Sequence, residues 1–236
     1  MMNLFYAPDI ALTSELPEDE SLHCVKVLRL REGDPVTVID GKGMFYYSEI
    51  ESAHPKHCRV RIVRQEPESG VRRGRLHIAI APTKNIDRIE WFLEKAVEIG
   101  IDEITLLRCR YSERKEVKSD RLQKIVVSAM KQSLKATLPL FNPVTDIQSF
   151  LAIPREGLLA IGHCHKTIPR RYLKEYYQEG APLTMLIGPE GDFSEDEVEL
   201  AIQKGYQPVS LGESRLRTET AGLMVATTFS VLNLAT

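Results

Sequence analysis

Two stretches of the chain concentrate residue types able to do chemistry. The first runs Thr184-Met-Leu-Ile-Gly188-Pro189-Glu190-Gly191-Asp192-Phe193-Ser194-Glu-Asp-Glu197. An apolar run of strand length leads into a Gly-Pro-x-Gly turn. Ser194, with Glu197 three residues on, then forms a capping box, so a helix starts there. In an open α/β sheet, ligands bind just beyond the carboxyl ends of the strands. Gly188 and Gly191 would let the backbone approach a flat ligand with no Cβ in between. A plain strand-to-helix turn is the competing reading. A phosphate loop fits poorly: neither GxxxxGKS/T nor GxGxxG occurs, and Glu190 and Asp192 would repel phosphate.

The second stretch is Ser210-Leu211-Gly212-Glu213-Ser214-Arg215-Leu216-Arg217-Thr218-Glu219-Thr220-Ala221-Gly222. A strand ends at Leu211, a loop carries two arginines, and a helix starts near Thr218. Such a start offers free N–H groups with the Thr218 or Thr220 hydroxyl nearby. Solvation alone explains poorly an arginine pair between a strand end and an uncharged helix. That last helix, Ala221–Leu234, is expected to be buried in the sheet packing or at a subunit interface. His23, His77 and His163 are each candidate bases. A packed or hydrogen-bonded structural role is the simpler reading for all three, and His163 is the best placed. His163-Cys164-His165 invites a metal reading, but adjacent residues of a strand point to opposite faces, so no metal is expected.

The elements that must position these stretches fall into two groups. The first 65 or so residues read as β structure. Asp40-Gly41 is a hairpin signal between Val36–Ile39 and Phe45–Ile50, and His57–Val63 alternates as a half-exposed strand does. Glu20–Leu30 reads as a short helix. Short strands with tight turns suggest a small barrel. The polar stretch at 66–75, with Pro67, Gly70 and Gly74, is the expected linker. Beyond it, apolar strands are expected at Leu76–Ala81, Glu103–Leu107, Gly157–Ile161, Leu183–Ile187 and Pro208–Leu211. Helices are expected at Asp87–Gly100, Ser119–Lys135, Pro169–Gln178, Glu195–Lys204 and Glu219–Leu234. That alternation indicates an α/β domain with a largely parallel sheet.

Composition narrows the class. The 236 residues are 43% apolar and 27% charged with a net charge of -2, which argues against disorder. No apolar run approaches membrane-spanning length, and the N-terminus lacks the pattern of a secretory signal, so a cytoplasmic protein is expected. The four cysteines stand far apart without a CxxC pair and read as free thiols. Between Thr105 and Leu140 there are nine Lys/Arg against three Asp/Glu, and Arg72, Arg73 and Arg75 form a second cluster. Solvated helix faces explain either cluster alone; two in one chain raise the prospect of a polyanionic partner.

The Gly188-Pro-Glu-Gly191 turn, followed by Leu211-Gly212-x-x-x-Leu216-Arg217-Thr218-Glu219-Thr220-Ala221, resembles the RsmE family. These are the 16S ribosomal RNA uracil-N3 methyltransferases of the SPOUT superfamily. The likeness spans the chain. His23-x-x-x-Val27-Leu28-Arg29-Leu30-x-x-Gly33-Asp34 with Asp40-Gly41-x-Gly43 is similar to the family's N-terminal PUA-like barrel. Glu90-Trp-Phe-Leu-Glu-Lys95-Ala96-Val-Glu98-Ile99-Gly100 and Gln132-Ser133 resemble its next helices. The resemblance implies a PUA-like RNA-binding barrel over residues 1–68 and a SPOUT α/β methyltransferase domain over 75–236, its C-terminal part tied in a trefoil knot. It also implies S-adenosylmethionine as methyl donor, 16S rRNA of the small (30S) subunit as substrate, and a homodimer.

Carried over by match, the donor pocket comprises Ile161, Gly162 and His163, then Leu186, Ile187, Gly188, Pro189, Glu190 and Gly191. Its third loop supplies Leu211, Gly212, Leu216, Arg217, Thr218, Thr220 and Ala221. Arg217 is expected to stabilise charge on the uracil carbonyls as N3 loses its proton, and cannot itself be the base. Glu219 either takes the proton or holds Arg217. Holding ranks higher, since a carboxylate beside a guanidinium is a weaker base. RNA contacts are expected from Arg29, Arg72, Arg73, Arg110, Lys131, Lys135 and Arg215. Ser214 and Lys135 depart from the family, which carries arginine at both positions. The alternatives are an RNA-binding protein of ribosome assembly without catalysis, a related SPOUT enzyme acting on another RNA, and a nucleotide-binding α/β protein.

Overall fold

The computed structural model describes residues 3–70 and 73–234. They form two compact units: residues 3–70 with Val127–Leu138, and residues 73–126 with 139–234. The chain thus returns once to the first unit after leaving it.

The first unit contains β1 (Leu4–Tyr6), α1 (Ile10–Thr13), α2 (Glu18–Leu22), β2 (Pro35–Ile39), β3 (Met44–Ser52) and β4 (Arg59–Pro67). α2 runs directly into a π-helical turn, His23–Val27, and Arg29 at φ 57° lies just beyond it. β2, β3 and β4 form an antiparallel meander, and β1 adds to it parallel to β2. The Asp40-Gly41 turn forms because the Asp40 carboxylate accepts from Lys42 N at 2.7 Å and Met44 N at 3.1 Å. Phe5, Ile10, Leu16, Val38, Tyr46, Ile50 and Val60 meet in the core. Beside it, the Glu20 carboxylate accepts from Tyr6 N at 3.3 Å and from Lys131 Nζ at 2.5 Å.

The second unit is a parallel sheet flanked by helices. Its elements are β5 (Leu76–Ile80), α3 (Ile86–Ile99), β6 (Glu103–Arg108), α4 (Ser119–Gln132), β7 (Leu140–Asp146), α5 (Ile147–Leu151), β8 (Leu158–Gly162), β9 (Arg171–Tyr172), α6 (Leu173–Tyr176), β10 (Leu183–Ile187), α7 (Glu195–Gln203), β11 (Gln207–Ser210) and α8 (Thr218–Leu232). From Val127 on, α4 counts with the first unit. The strand order is β7-β6-β5-β10-β8-β11-β9, with every pairing parallel. β5 and β10 lie at the centre with every residue buried, which is why they read as unbroken apolar runs.

Several parts differ from expectation: the helix expected at Glu20–Leu30 is α-helical only to Leu22, and α5 was not foreseen. β7 was not anticipated: it is an edge strand carrying Pro143, with no fully buried residue to betray it. The helix expected at Pro169–Gln178 contracts to the single turn α6 behind the short β9. Leu173 is its one buried residue, so no apolar stripe supports further turns. Among the described residues, no helix is long and apolar enough to cross a membrane.

α8 packs closely on α3. A Cβ at Gly222 would lie 2.6 Å from Cε2 of the buried Phe92 and 3.1 Å from Ile80 Cδ1. Alanine is the better helix former by about 1 kcal/mol, but overpacking costs about 1–3 kcal/mol. Gly222→Ala is therefore expected to lower the urea midpoint with an unchanged m-value; a higher midpoint would show that Phe92 has room to move.

Within the sheet, the buried His77 ring places Nε2 2.8 Å from Thr105 Oγ1, which also accepts from Asn142 Nδ2 at 2.9 Å. Burial, reinforced by Arg155 and Arg75, holds the His77 imidazole down to about 3. Its unfolded value is about 6.5, so the unfolded chain binds the extra proton. The associated stability is fully present above about pH 6.5 and is lost as pH falls toward 3. The stability gap between the wild type and His77→Gln is expected to shrink as pH drops from 7 to 4. Denaturant titrations at several pH values measure that gap, and parallel curves would remove His77 as the titrating group.

Candidate active site

Strand register brings the two sequence stretches together. Gly162, the last residue of β8, pairs with Ile187 of β10 on one side and Val209 of β11 on the other. The three strands therefore end at one rim, and the loops after Gly162, Ile187 and Ser210 leave from neighbouring points. This is the carboxyl edge where open α/β sheets bind ligands.

Hydrogen bonds between loops fix the rim. Thr218, at the start of α8, donates its hydroxyl to the Gly188 carbonyl at 3.1 Å in a buried contact. The Asp192 carboxylate accepts from Cys164 N at 2.7 Å and from Phe193 N at 2.9 Å. These bonds offset the strain of Asp192 at φ 68°, a conformation Asp tolerates better than most residues. His165 Nε2 lies 2.7 Å from the Phe193 carbonyl, and the Arg170 guanidinium donates to the His163 carbonyl. Ser194 and Glu197 form the capping box of α7, and Glu197 also accepts from Arg110 N at 2.7 Å.

The glycines serve different ends. A Cβ at Gly188 would lie 3.1 Å from the Phe193 ring, and one at Gly191 would lie 3.2 Å from Tyr111 Cβ. Gly212 has open space around it but sits at φ +132°, which other residues rarely adopt.

Of the expected pocket residues, Ile161, Leu186 and Ile187 are buried at the strand ends, with Gly188 and Pro189 buried just beyond. Leu211, Leu216 and Ala221 are half-buried, and Thr220 is exposed. Glu190 is exposed, and its carboxylate accepts from Lys84 N at 3.1 Å in the loop after β5. That loop is braced by Arg114, which donates to the Thr83 and Lys84 carbonyls at 3.1 and 2.6 Å. Lys84, Glu113, Arg114, Lys115 and Glu116 line an open cleft of about 350 Å³.

His163 is 4% exposed, and neither ring nitrogen has a hydrogen-bond partner among the described residues. Burial, with Arg170 adding to it, holds its imidazole down to about 4, so the ring is neutral at physiological pH. A buried polar group without a partner is costly, and a bound ligand is one way to satisfy it.

Arg217 and Glu219 part company. Arg217 precedes α8 with its side chain exposed and without a hydrogen-bond or ion-pair partner among the described residues. Glu219 is buried, and its facing cation is Arg88 of α3, with Nε 3.9 Å from Oε1. The expectation that Glu219 holds Arg217 is corrected here: residues two apart at a helix start do not face each other.

The expected RNA contacts also divide. Arg29, Arg73, Arg110 and Arg215 are exposed. Arg110 Nη1 reaches Asp196 Oδ2 at 3.3 Å. Lys131 is mostly buried against Glu20, so the charge expected to meet phosphate is already paired within the first unit. Lys135 is half-buried, and Arg72 lies outside the described residues. Sequence reasoning missed Arg88, Asp192 and Arg114. The Asp after Gly191 was a signal, since Asp is enriched in left-handed turns. Nothing local singles out Arg88 among the charges of α3.

Comparisons with known proteins identify the family and the fold. A family model described as an RNA methyltransferase domain matches residues 71–230, and one described as an RNA methyltransferase PUA domain matches residues 16–63. A curated relative from Synechocystis, ribosomal RNA small subunit methyltransferase E, is 30% identical over 92% of this chain and 73% of its own length. The crystal structure of a probable rRNA-methyltransferase from Porphyromonas gingivalis superposes with a TM-score of 0.92 at 45% identity, covering 98% of both chains. Ribosomal RNA small subunit methyltransferase E from Neisseria gonorrhoeae, crystallised bound to S-adenosyl methionine, gives a TM-score of 0.86 at 26% identity over 98% of both chains. The chain belongs to the ribosomal RNA small subunit methyltransferase E family of RNA methyltransferases.

Proposed function

We propose that this protein transfers a methyl group from S-adenosylmethionine to N3 of a uridine in 16S rRNA of the small ribosomal subunit, in the cytoplasm and as a homodimer. The observation that carries this reading is the shared rim of β8, β10 and β11, locked by the Thr218–Gly188 and Cys164–Asp192 bonds. The residues present suit the donor. The glycine turn lets main chain approach a nucleoside, and His163 brings two unsatisfied buried nitrogens. Kinship to a protein crystallised with the same compound supports the assignment. The strand order, with β10 between β5 and β8, is in keeping with a knotted C-terminal path. The exposed apolar residues Met224, Val231 and Leu234, in and just after α8, suit a subunit interface.

When bound, S-adenosylmethionine supplies an electrophilic methyl group. Ile161, Gly162 and His163, residues 186–191, and Leu211, Gly212, Leu216, Thr218, Thr220 and Ala221 with the main chain of Arg217 hold the donor, and alignment with the acceptor nitrogen provides most of the acceleration. Arg217, permanently charged and with no side-chain partner among the described residues, faces the negative charge that spreads to the uracil carbonyls as N3 loses its proton. N3 lies on the pairing edge of the base, so the target is unpaired or flipped out. Arg29, Arg73, Arg110 and Arg215, all exposed, contact the RNA backbone.

Mass mapping of 16S rRNA from a strain lacking the gene tests the assignment. One N3-methyluridine is expected to vanish and to return with the wild-type gene. Arg217→Ala is expected to restore none of it, with single-turnover methylation at saturating donor slowed at least about 100-fold and donor affinity near wild type. A fully active variant would take Arg217 out of the mechanism. Thr218→Val removes a buried hydrogen bond between two loops that hold the donor. It is expected to weaken S-adenosylmethionine binding about tenfold by calorimetry; unchanged affinity would show that the loops keep their shape without it.

A further inference from the structure

Glu219 has a feature that the donor pocket and Arg217 leave unexplained. It sits in the first turn of α8, 6% exposed, between Thr218, which anchors that turn to Gly188, and the contact of α8 with α3. One carboxylate oxygen, Oε1, faces Arg88 Nε at 3.9 Å. The other, Oε2, is buried and has no hydrogen-bond partner among the described residues. An ionised carboxylate is acceptor-only, and a buried acceptor left unmet costs about 1–3 kcal/mol or more. The close α3–α8 approach at Gly222 sets the spacing between the Arg88 and Glu219 backbones. Glu219 is the buried half of the pair, and Arg88 reaches it from the partly exposed face of α3.

We infer that Arg88 is a positioning residue: its guanidinium holds one oxygen of Glu219, at some cost in basicity, in the orientation that turns the other toward the N3–H of the target uracil as proton acceptor. This rests on the N3-methylation reading above and adds to it the destination of the proton. As the N3–carbon bond forms, the carbon–sulfur bond breaks and its electron pair stays on sulfur. The N3–H bonding pair remains in the ring, and the proton passes to Oε2, leaving Glu219 a neutral acid. Arg217 meets the charge on the carbonyls, so the two arginines have separate duties.

The test uses small subunits from a strain lacking the gene, grown with or without 5-fluorouracil. Fluorine at C5 makes N3–H more acidic, so less is asked of a base. On ordinary subunits, Glu219→Gln is expected to slow single-turnover methylation about 100-fold and Arg88→Ala at least about tenfold. Arg88→Lys should recover part of the loss. On fluorinated subunits both deficits should shrink several-fold, which a merely structural role would not produce. Calorimetric titration with S-adenosylmethionine and thermal unfolding should show all three variants folded and binding the donor as the wild type does. If Arg88→Ala does not fold, Glu219→Gln and Arg88→Lys decide the matter on the same two substrates. Equal deficits on both kinds of subunit, or wild-type rates in Glu219→Gln, overturn the inference. A wild-type protein that leaves no N3-methyl mark overturns the functional reading instead.

Discussion

Three parallel strands that stop at the same level are the constraint on which the site depends. Gly162, Ile187 and Val209 stand side by side in the ladder, so loops far apart in sequence leave the sheet from adjacent points. A one-residue slip in a parallel ladder would displace a loop by about 3.3 Å and turn its side chains to the other face. β10, buried throughout, and β8, buried at Ala160 and Ile161, resist such a slip because their apolar residues already pack on both faces of the sheet. The loops can then carry glycines and strained turns that would not hold a conformation alone.

The hydrogen bonds at the rim distribute the work. Thr218 ties the start of the last helix to the Gly188 turn, and Asp192 ties that turn to the loop after β8. Each bond is modest by itself, on the order of 1 kcal/mol. Between them they link all three loops, so displacing one displaces its neighbours. Among the buried polar groups without a hydrogen-bond partner in the described residues, the His163 ring and Glu219 Oε2 lie at or beside this rim. Exposed cations such as Arg215 and Arg217 flank it. A rigid frame with a few unmet polar groups and free cations suits a small charged cofactor and a polyanionic substrate.

Much of the fold was legible because burial writes itself into periodicity. β5 and β10 show as apolar runs, α3 as a helical stripe ended by Gly100, and α7 by its capping box. The hairpin at Asp40-Gly41 was equally plain. Elements that bury little left no such trace: β7 on the sheet edge, and α6 with its single inward leucine. The return of Val127–Leu138 to the first unit was also invisible. Those residues begin as the last turns of an ordinary amphipathic helix, and only Glu20, more than a hundred positions away, shows what Lys131 is for.

The sequence by itself determined the local conformations of the site and its chemical inventory: the glycine turns, the capped helix starts and the arginines before α8. Those follow from backbone sterics and from the hydrogen-bonding capacity of single residues, which act over a few positions. Tertiary structure alone decided which charges meet. Arg88 rather than Arg217 faces Glu219, Lys131 meets a carboxylate rather than solvent, and Asp192 binds a main-chain amide 28 residues away. Pairings of that kind depend on helix packing and strand order, and a charged side chain carries no mark in sequence of the partner that packing will bring to it.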